Sequence, residues 1–151
     1  MGWRALLVAL AVVAGAFGAL TMVALEGAEV VRLRTTSADG SLRTTRTWVA
    51  DADGATWIEA ANAARPFLLD VQARPEVLLD RGGRERRLHA VVVPGEAGHR
   101  KIRELLRAKY GWADVWIGLL ADTSRSVAVR LDPAPVSPAS GRETGTPRSA
   151  P

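Results

Sequence analysis

The sequence predicts a mainly β protein with helices (α+β): a small, mostly antiparallel β-barrel with helices on one side, preceded by one N-terminal transmembrane helix. Three observations predict this fold class. Six short β-rich runs are separated by turn sequences, helical stretches are inserted late in the chain, and a long uncharged run stands near its beginning. The chain of 151 residues has room for one domain of ordinary size once both ends are set aside.

The uncharged run extends from Ala5 to Leu25 and contains 21 residues, which as a helix match the roughly 30 Å thickness of the membrane hydrocarbon core. A cleaved signal peptide is the alternative, because Arg4 precedes the run and small residues lie between Ala14 and Ala19. Signal h-regions are shorter, at roughly 7–15 residues. We therefore expect residues 1–27 to form a retained membrane anchor.

The positive charges near this run predict its orientation, because Lys and Arg resist translocation. One arginine, Arg4, precedes the run, whereas several follow it closely: Arg32, Arg34, Arg43 and Arg46. The sequence thus predicts a single-pass protein of the cell membrane with its domain on the cytoplasmic side. Residues 28–133 are expected to form that domain. Residues 134–151, rich in Pro, Ser and Gly, are expected to form a disordered tail.

Six β-rich runs supply the predicted barrel. The strands are expected at Val30 to Thr36, Leu42 to Ala50, Ala55 to Ala60, Glu76 to Asp80, Arg86 to Val93 and Ser126 to Leu131. Turns rich in Asp and Gly separate them at residues 38–41, 51–54 and 81–84.

Three helical stretches complete the domain. The first begins at Pro66, where a missing N–H costs nothing, and ends before Pro75. The second runs from about Glu96 to Lys109 with an apolar face that continues to Tyr110, and Gly111 interrupts it. A third follows, with an apolar stripe formed by Trp112, Val115, Trp116, Leu119 and Leu120.

The composition excludes several kinds of chemistry. No cysteine is present, which removes disulfides, thiolate nucleophiles and zinc–thiolate sites. His89 lies on a predicted strand and His99 near a predicted helix start, and a structural role is the better interpretation of these two histidines than a metal site. The sequence has neither a nucleophile elbow nor a Gly-rich phosphate loop. No residue is predicted to be catalytic. A protein that holds a cofactor carrying the chemistry itself fits these absences best.

The net charge of +4 suits an anionic partner such as a lipid headgroup, a phosphate-bearing cofactor or nucleic acid. Residues 81–87 form the most basic run, RGGRERR, but it lacks the interleaved aromatic residues that bind single strands. We interpret this run as a solvated hairpin tip, with lipid contact as its better functional alternative. Nucleic acid is therefore not an expected partner.

The sharpest polar cluster lies on the second strand. Arg43 and Thr45 face one side of that strand, whereas Thr44 and Arg46 face the other. Arg65 adds a further cation just before a helix start, where backbone N–H groups favour an anion. From the residues alone, an anion site and ordinary cross-strand pairing are equally supported.

Tyr110, Trp112 and Trp116 form an aromatic group late in the chain. Their spacing primarily indicates ordinary core or interface packing. The alternative is that they form the floor of a pocket for a planar substrate.

The order of these motifs resembles the deazaflavin (coenzyme F-420)-dependent nitroreductase family. That family belongs to the split β-barrel superfamily, which also contains the pyridoxamine-phosphate-oxidase-like, FMN-binding proteins. The matching features are Arg-Thr-Thr on the second strand, an Ala-Asn loop, Arg-Pro at a helix start, and then ARPEV, AKYGWADVW and SRSVAVRLDP. The resemblance extends from Val30 to Pro133.

The resemblance implies a six-stranded split barrel that transfers a hydride from reduced F-420, an 8-hydroxy-5-deazaflavin, to a quinone, nitroaromatic or similar planar acceptor. The cofactor-binding residues that it implies are Arg43, Thr44, Thr45, Arg46, Asn62 and Arg65. The substrate-binding residues are Tyr110, Trp112 and Trp116. FMN is the second choice of cofactor. Such barrels are often dimeric, so a homodimer is a further expectation beside membrane lipid and a quinone as partners.

The sequence also departs from the family pattern. Arg46 stands where many relatives have proline, and the loop of residues 60–64 lacks the glycines that let a backbone approach a phosphate closely. These departures leave an alternative open: a non-catalytic, membrane-anchored split-barrel protein that binds a flavin or deazaflavin or serves as an interaction module.

Overall fold

A six-stranded antiparallel barrel forms the body of the protein, in a computed structural model that describes residues 2–26, 28–120 and 122–134. The strands are β1 (Val30–Thr36), β2 (Leu42–Ala52), β3 (Ala55–Ala60), β4 (Glu76–Arg81), β5 (Arg84–Val93) and β6 (Val127–Pro133). They close in the order β1-β2-β3-β6-β5-β4, with β4 returning to β1. The predicted fold class is confirmed. All but the first residue of the predicted tail lies outside the described residues.

Two of the predicted four-residue turns are tighter than expected. Asp53 and Gly54 both have positive φ, at 55° and 74°, and Gly82 and Gly83 have φ of 59° and 80°. Positive φ at both central residues is the signature of a type I′ turn, whose twist matches that of the flanking strands. Strands β2, β4 and β5 therefore extend one or two residues further into these turns than the sequence pattern predicts, whereas β3 begins at Ala55 as predicted.

The barrel interior is the main hydrophobic core. Leu33, Val49 and Ile58 point into it and are fully buried. Helix α2 (Pro66–Ala73) adds Phe67, Leu68 and Val71 to the same core. The helix packs against β1 and β5.

A second core lies outside the barrel, beneath helix α3 (Gly95–Tyr110). Ile102 and Leu106 of this helix are buried, as the sequence predicts, and they pack with Trp57 and Ala50 of the sheet. Strands β2, β3 and β6 therefore carry apolar residues on both faces, because one face meets the barrel interior and the other meets α3.

Two helices stand beside this body. Helix α1 (Gly2–Glu26) is long and apolar enough to cross a membrane, and none of its apolar stretch is buried by the rest of the protein. Helix α4 (Trp112–Leu120) packs along α1 and against α3. The apolar stripe predicted on α4 is mostly exposed, whereas Ala113 and Asp114 are its buried residues.

Candidate functional site

A cavity of about 210 Å³ lies where β2, the start of α2 and the α3–α4 pair meet. It brings together residues that are distant in sequence and differ in character. Its lining comprises Thr45, Arg46, Thr47, Trp48, Glu59, Ala61, Arg65, Phe67, Arg103, Asp114, Ile117, Gly118 and Thr123. Three of the six predicted cofactor-binding residues, Thr45, Arg46 and Arg65, therefore share one cavity.

Arg46 and Arg65 form the cationic wall of this cavity. Both side chains are exposed, and neither forms an ion pair with any residue in the described part of the chain. Thr45 supplies a half-buried hydroxyl beside them. Two guanidinium groups with free donors and a hydroxyl are the groups that bind phosphate or carboxylate oxygens well.

The N-terminus of α2 adds to this wall. Arg65 is the N-cap residue in an extended conformation, Pro66 follows it, and no described side chain caps the helix. Phe67, in the first turn, lines the cavity. Uncapped N–H groups and the positive end of the helix dipole favour an anion at this position.

A buried charge cluster centred on Arg103 also lines the cavity. Its guanidinium donates to Glu59 Oε2 at 3.1 Å and to both oxygens of Asp114 at 2.6 Å. Asp114 is 1% exposed, so this pairing supplies the compensation that a buried carboxylate requires. Two carboxylates share one guanidinium here, which makes the cavity acidic on this side and basic at Arg46 and Arg65.

Trp48 is a cavity residue that the sequence reasoning missed. It lines the cavity, and its ring lies 4.7 Å from the Tyr110 ring, with the two planes tilted by 39°. A signal was available, because Trp48 follows Arg46 by two residues on β2 and therefore lies on the same face of the strand. An aromatic face beside cations suits a planar, anionic ligand.

The other predicted cofactor-binding residues lie elsewhere. Arg43 donates from Nε to Asp70 Oδ2 at 2.8 Å and from Nη2 to Ser37 Oγ at 2.9 Å. Thr44 is exposed on the outer face of β2. Asn62 Oδ1 accepts the Ala64 N–H at 3.0 Å within its own loop. The cofactor contacts of Arg43, Thr44 and Asn62 stay predictions.

The three predicted substrate residues do not share one cavity. The Tyr110 hydroxyl is buried and donates to the Val49 carbonyl oxygen at 2.7 Å. Trp112 is 53% exposed, and Trp116 packs against Phe17 of α1. Their substrate roles stay predictions. None of the three lines the cavity, although Tyr110 contacts the lining residue Trp48.

A larger groove of about 900 Å³ lies between α3 and α4 and adjoins the cavity. The two share Arg103, Asp114, Gly118 and Thr123 as lining residues. Within the described ranges, no group of three or more His, Cys, Asp or Glu side chains is arranged to hold a metal ion.

Solved structures share this arrangement of strands and helices. An F-420 reductase is 16% identical over 71% of this chain and 87% of its own, with a TM-score of 0.52. A pyridoxamine 5'-phosphate oxidase candidate from Listeria innocua is 15% identical over 76% of this chain and 90% of its own, also with a TM-score of 0.52. A domain-swapped dimer is 17% identical over 69% and 80%, with the same TM-score.

The chain has the split-barrel fold. Its solved neighbours include the two groups that the sequence resemblance names, the F-420-dependent reductases and the pyridoxamine-phosphate-oxidase-like proteins. No protein-family model matches the sequence, and no curated protein matches it. The fold of this chain is therefore the one seen in flavin- and deazaflavin-dependent oxidoreductases, although its sequence identity to the solved structures is low.

Proposed function

We propose that this split barrel is a membrane-anchored, deazaflavin-dependent oxidoreductase that transfers a hydride from reduced F-420 to a quinone, nitroaromatic or similar planar acceptor. The observation that carries the proposal is the cavity beside β2, where Thr45, Arg46 and Arg65 converge at an uncapped helix N-terminus. F-420 bears a phosphate and a glutamate-containing tail, and this donor set fits such anionic groups. FMN, which also bears a phosphate, is the second choice.

The chain's own residues would bind and orient the ligand. Arg46 and Arg65 would hold the anionic tail, and Trp48 would pack against a planar ring. The Arg103–Asp114 pair would keep its part of the cavity lining rigid, because both charges are already hydrogen-bonded. Bound reduced F-420 would supply the hydride.

The position of α4 supports a lipid-soluble acceptor. Ile117 and Gly118 of α4 line the cavity, while Trp116 of the same helix packs on α1. Helix α4 therefore contacts both the cavity and α1, the helix that we propose as a retained, single-pass anchor of the cell membrane, with the barrel on the cytoplasmic side. A quinone dissolved in the bilayer would lie close to it.

The proposed domain organisation is an anchor at residues 1–27, a cofactor-binding barrel at 28–133 and a tail at 134–151. We also propose that the barrel forms a homodimer. A cysteine introduced at an exposed barrel position and treated with a membrane-impermeant reagent on intact cells would test the orientation, since a cytoplasmic barrel should stay unlabelled.

Binding of F-420 by the full-length protein in detergent is the primary test. Arg46→Ala and Arg65→Ala should each weaken binding by roughly 10- to 150-fold, since a charge-assisted hydrogen bond contributes about 1.5–3 kcal/mol. Arg84→Ala is the matched control, because Arg84 is an exposed arginine at the β4–β5 turn, outside the cavity. The proposal is wrong if the folded protein leaves the fluorescence of F-420 unchanged at high micromolar concentrations of the cofactor.

A second candidate function is cofactor binding without turnover. The size of the cavity favours it, because about 210 Å³ is below the roughly 300–1,000 Å³ of ordinary ligand pockets. The oxidoreductase proposal requires the ligand to extend into the adjoining groove. Tight F-420 binding with no oxidation of the reduced cofactor by menadione-like quinones or nitroaromatics would select the second candidate.

A further inference from the structure

The outward face of α4 is apolar and lacks any charged side chain. Trp112, Val115, Leu119 and Leu120 are large apolar residues with exposed fractions between 48% and 75%. The one charged residue of this helix, Asp114, is buried on the opposite side against α3. A continuous apolar surface of this kind marks an interaction site rather than a solvated face.

Contacts with α1 fix where this face lies. The rings of Trp116 and Phe17 are 5.1 Å apart, and Trp116 Nε1 donates to Thr21 Oγ1 at 3.1 Å. Just before α4, Lys109 Nζ donates to Glu29 Oε2 at 2.6 Å in the segment that joins α1 to the barrel. Helix α4 therefore starts at the membrane end of the barrel and runs beside the last turns of α1.

The helix rise gives the depth of this contact. Glu26 is the first charged residue after the apolar run of α1, and Thr21 and Phe17 precede it by five and nine positions. At 1.5 Å per residue, they lie about 7 Å and 14 Å from that charged end. The contact at Thr21 lies within the depth of about 5–10 Å to which interfacial helices bury their apolar face, and the contact at Phe17 lies deeper.

We propose that α4 is a membrane-contacting helix whose outward face contacts lipid acyl chains. The inference rests on the membrane anchoring under the proposed function, and it adds a second membrane contact that fixes how the barrel sits on the bilayer. Lipid is the occupant because the apolar stretch of α1 has no buried residue and α4 packs directly on this helix. Tryptophans at both the start and the middle of α4 fit this level of the membrane, where such residues are enriched.

The absence of cysteine allows a direct test with single spin labels. Leu119→Cys places a nitroxide on α4, and Leu42→Cys is the matched control with an equally exposed leucine, 75% against 70%. Leu42 pairs with Thr36 at the end of β1 remote from the linker, about 20 Å away along that strand. Val13→Cys, exposed in the middle of α1, is the positive control. The full-length variants are reconstituted in phosphatidylcholine vesicles.

In these vesicles the Leu119 label should be accessible to oxygen and protected from a water-soluble nickel chelate, as the Val13 label should be. The Leu42 label should show the reverse. A Leu119 label as accessible to the chelate as the Leu42 label overturns the inference, and so does a Val13 label in water. Spin–spin broadening at Leu119 would instead identify a second copy as the occupant and would also overturn it.

F-420 binding by the unlabelled parent protein separates this inference from the proposed function, because Leu119 also lines the groove beside the cavity. A lipid-protected Leu119 label in a protein that does not bind F-420 retains the membrane role of α4 and rejects the cofactor. A water-exposed Leu119 label in a protein that binds F-420 rejects the membrane role of α4 and retains the cofactor.

Discussion

At the scale of single residues, Asp70 shows how hydrogen bonds hold α2 across one end of the barrel. This carboxylate on α2 is buried and accepts from Thr35 Oγ1 at 2.7 Å, from Ser37 Oγ at 3.3 Å and from Arg43 Nε at 2.8 Å. Burial raises the pKa of Asp70, but the hydrogen bonds from Thr35 and Arg43 and the Arg43 charge together outweigh it and leave the pKa below its ordinary value. The carboxylate therefore joins α2 to β1 and β2.

Replacing Arg43 should lower the stability of the fold. Arg43→Ala removes a charged donor from a buried carboxylate, which should lower the free energy of unfolding by about 1–3 kcal/mol. The cost stays well below that of breaking a fully buried pair, because Thr35 and Ser37 remain as donors and water reaches the half-exposed arginine position. Denaturant unfolding followed by tryptophan fluorescence measures the change.

Arg46→Ala is the control for this prediction. Arg46 lies on the opposite face of β2, is exposed and forms no ion pair within the described ranges, so its loss should change stability by less than about 0.5 kcal/mol. Equal stability of the two variants would show that the Arg43–Asp70 contact contributes little.

The sequence predicted the alternation of β2 but not the partner of each arginine. Arg43 and Arg46 were correctly placed on opposite faces. Asp70 lies 27 positions after Arg43, and no local pattern connects them. Only the packing of α2 across the barrel end decides that one arginine meets a carboxylate while the other lines a cavity.

At the scale of elements, Gly98 shows how closely α3 approaches the sheet. A Cβ atom at this position would lie 2.1 Å from the carbonyl oxygen of Val93, at the end of β5. The contact is with backbone, so neither side can move easily. Helix α3 can therefore turn back onto the barrel directly after Pro94 only if residue 98 has no side chain.

Gly98→Ala should destabilise the protein although alanine favours helices. The helix propensity of Ala gains about 0.5–1 kcal/mol over Gly, whereas overpacking against backbone costs typically 1–3 kcal/mol. We expect a net loss that lowers the unfolding midpoint in urea.

Gly118→Ala is the matched helical control. Its added Cβ would lie 4.0 Å from Arg103 Nη2, which is ordinary contact, so the propensity gain should remain. A Gly98→Ala variant as stable as Gly118→Ala would contradict the close approach of α3.

Helix α4 illustrates the limit of periodicity at this scale. Its spacing correctly predicted a helix with one apolar stripe, and core or interface packing was the first interpretation of that stripe. Periodicity cannot say what covers a stripe, because core, partner and lipid all require the same spacing. The ion pair between Arg103 of α3 and Asp114 of α4 holds the side of α4 that carries Asp114 against the protein, so the apolar stripe on the opposite side is exposed.

At the scale of the whole molecule, Glu29 joins helix α1 to the barrel. It lies between α1 and β1 and accepts from Arg81 Nη2 at 2.8 Å and from Lys109 Nζ at 2.6 Å. The hydrogen bonds from Arg81 and then Lys109 lower the pKa of Glu29 from 4.5 to about 2. One carboxylate thus fixes the linker to β4 and to the end of α3.

This lowered pKa predicts a loss of stability in acid. A carboxylate whose pKa is depressed by folding stabilises the protein fully above its unfolded pKa, near 4.5, and loses that contribution as the pH falls towards about 2. Glu29→Gln should therefore be less stable than the parent at pH 6, and the difference should shrink between pH 4.5 and 2.5. The effect should be modest and should decrease in high salt, because the carboxylate is partly exposed.

Unfolding midpoints across this pH range measure the effect. Glu96→Gln is the control, since this glutamate is almost fully exposed and should leave the acid dependence of the parent unchanged. A constant difference between the parent and Glu29→Gln at all pH values would exclude Glu29 as the titrating group.

The sequence by itself determined the elements of this protein. Alternating β-branched runs, Asp-Gly and Gly-Gly turns, Pro66 and the apolar run near the start identified six strands and four helices at nearly their observed positions. These features are local, because backbone preferences and side-chain periods are set within a few residues.

The tertiary structure decided which side chains meet. Arg46 and Arg65 line one cavity together with Trp48, which the sequence analysis did not identify. Arg43 instead donates a hydrogen bond to Asp70, and the apolar stripe of α4 is exposed beside α1. Each outcome depends on how closed strands and packed helices bring distant residues together, and on whether a neighbouring charge is already paired. These contacts and charge pairings depend on the packing of the whole barrel, so they cannot be predicted from any single stretch of the sequence.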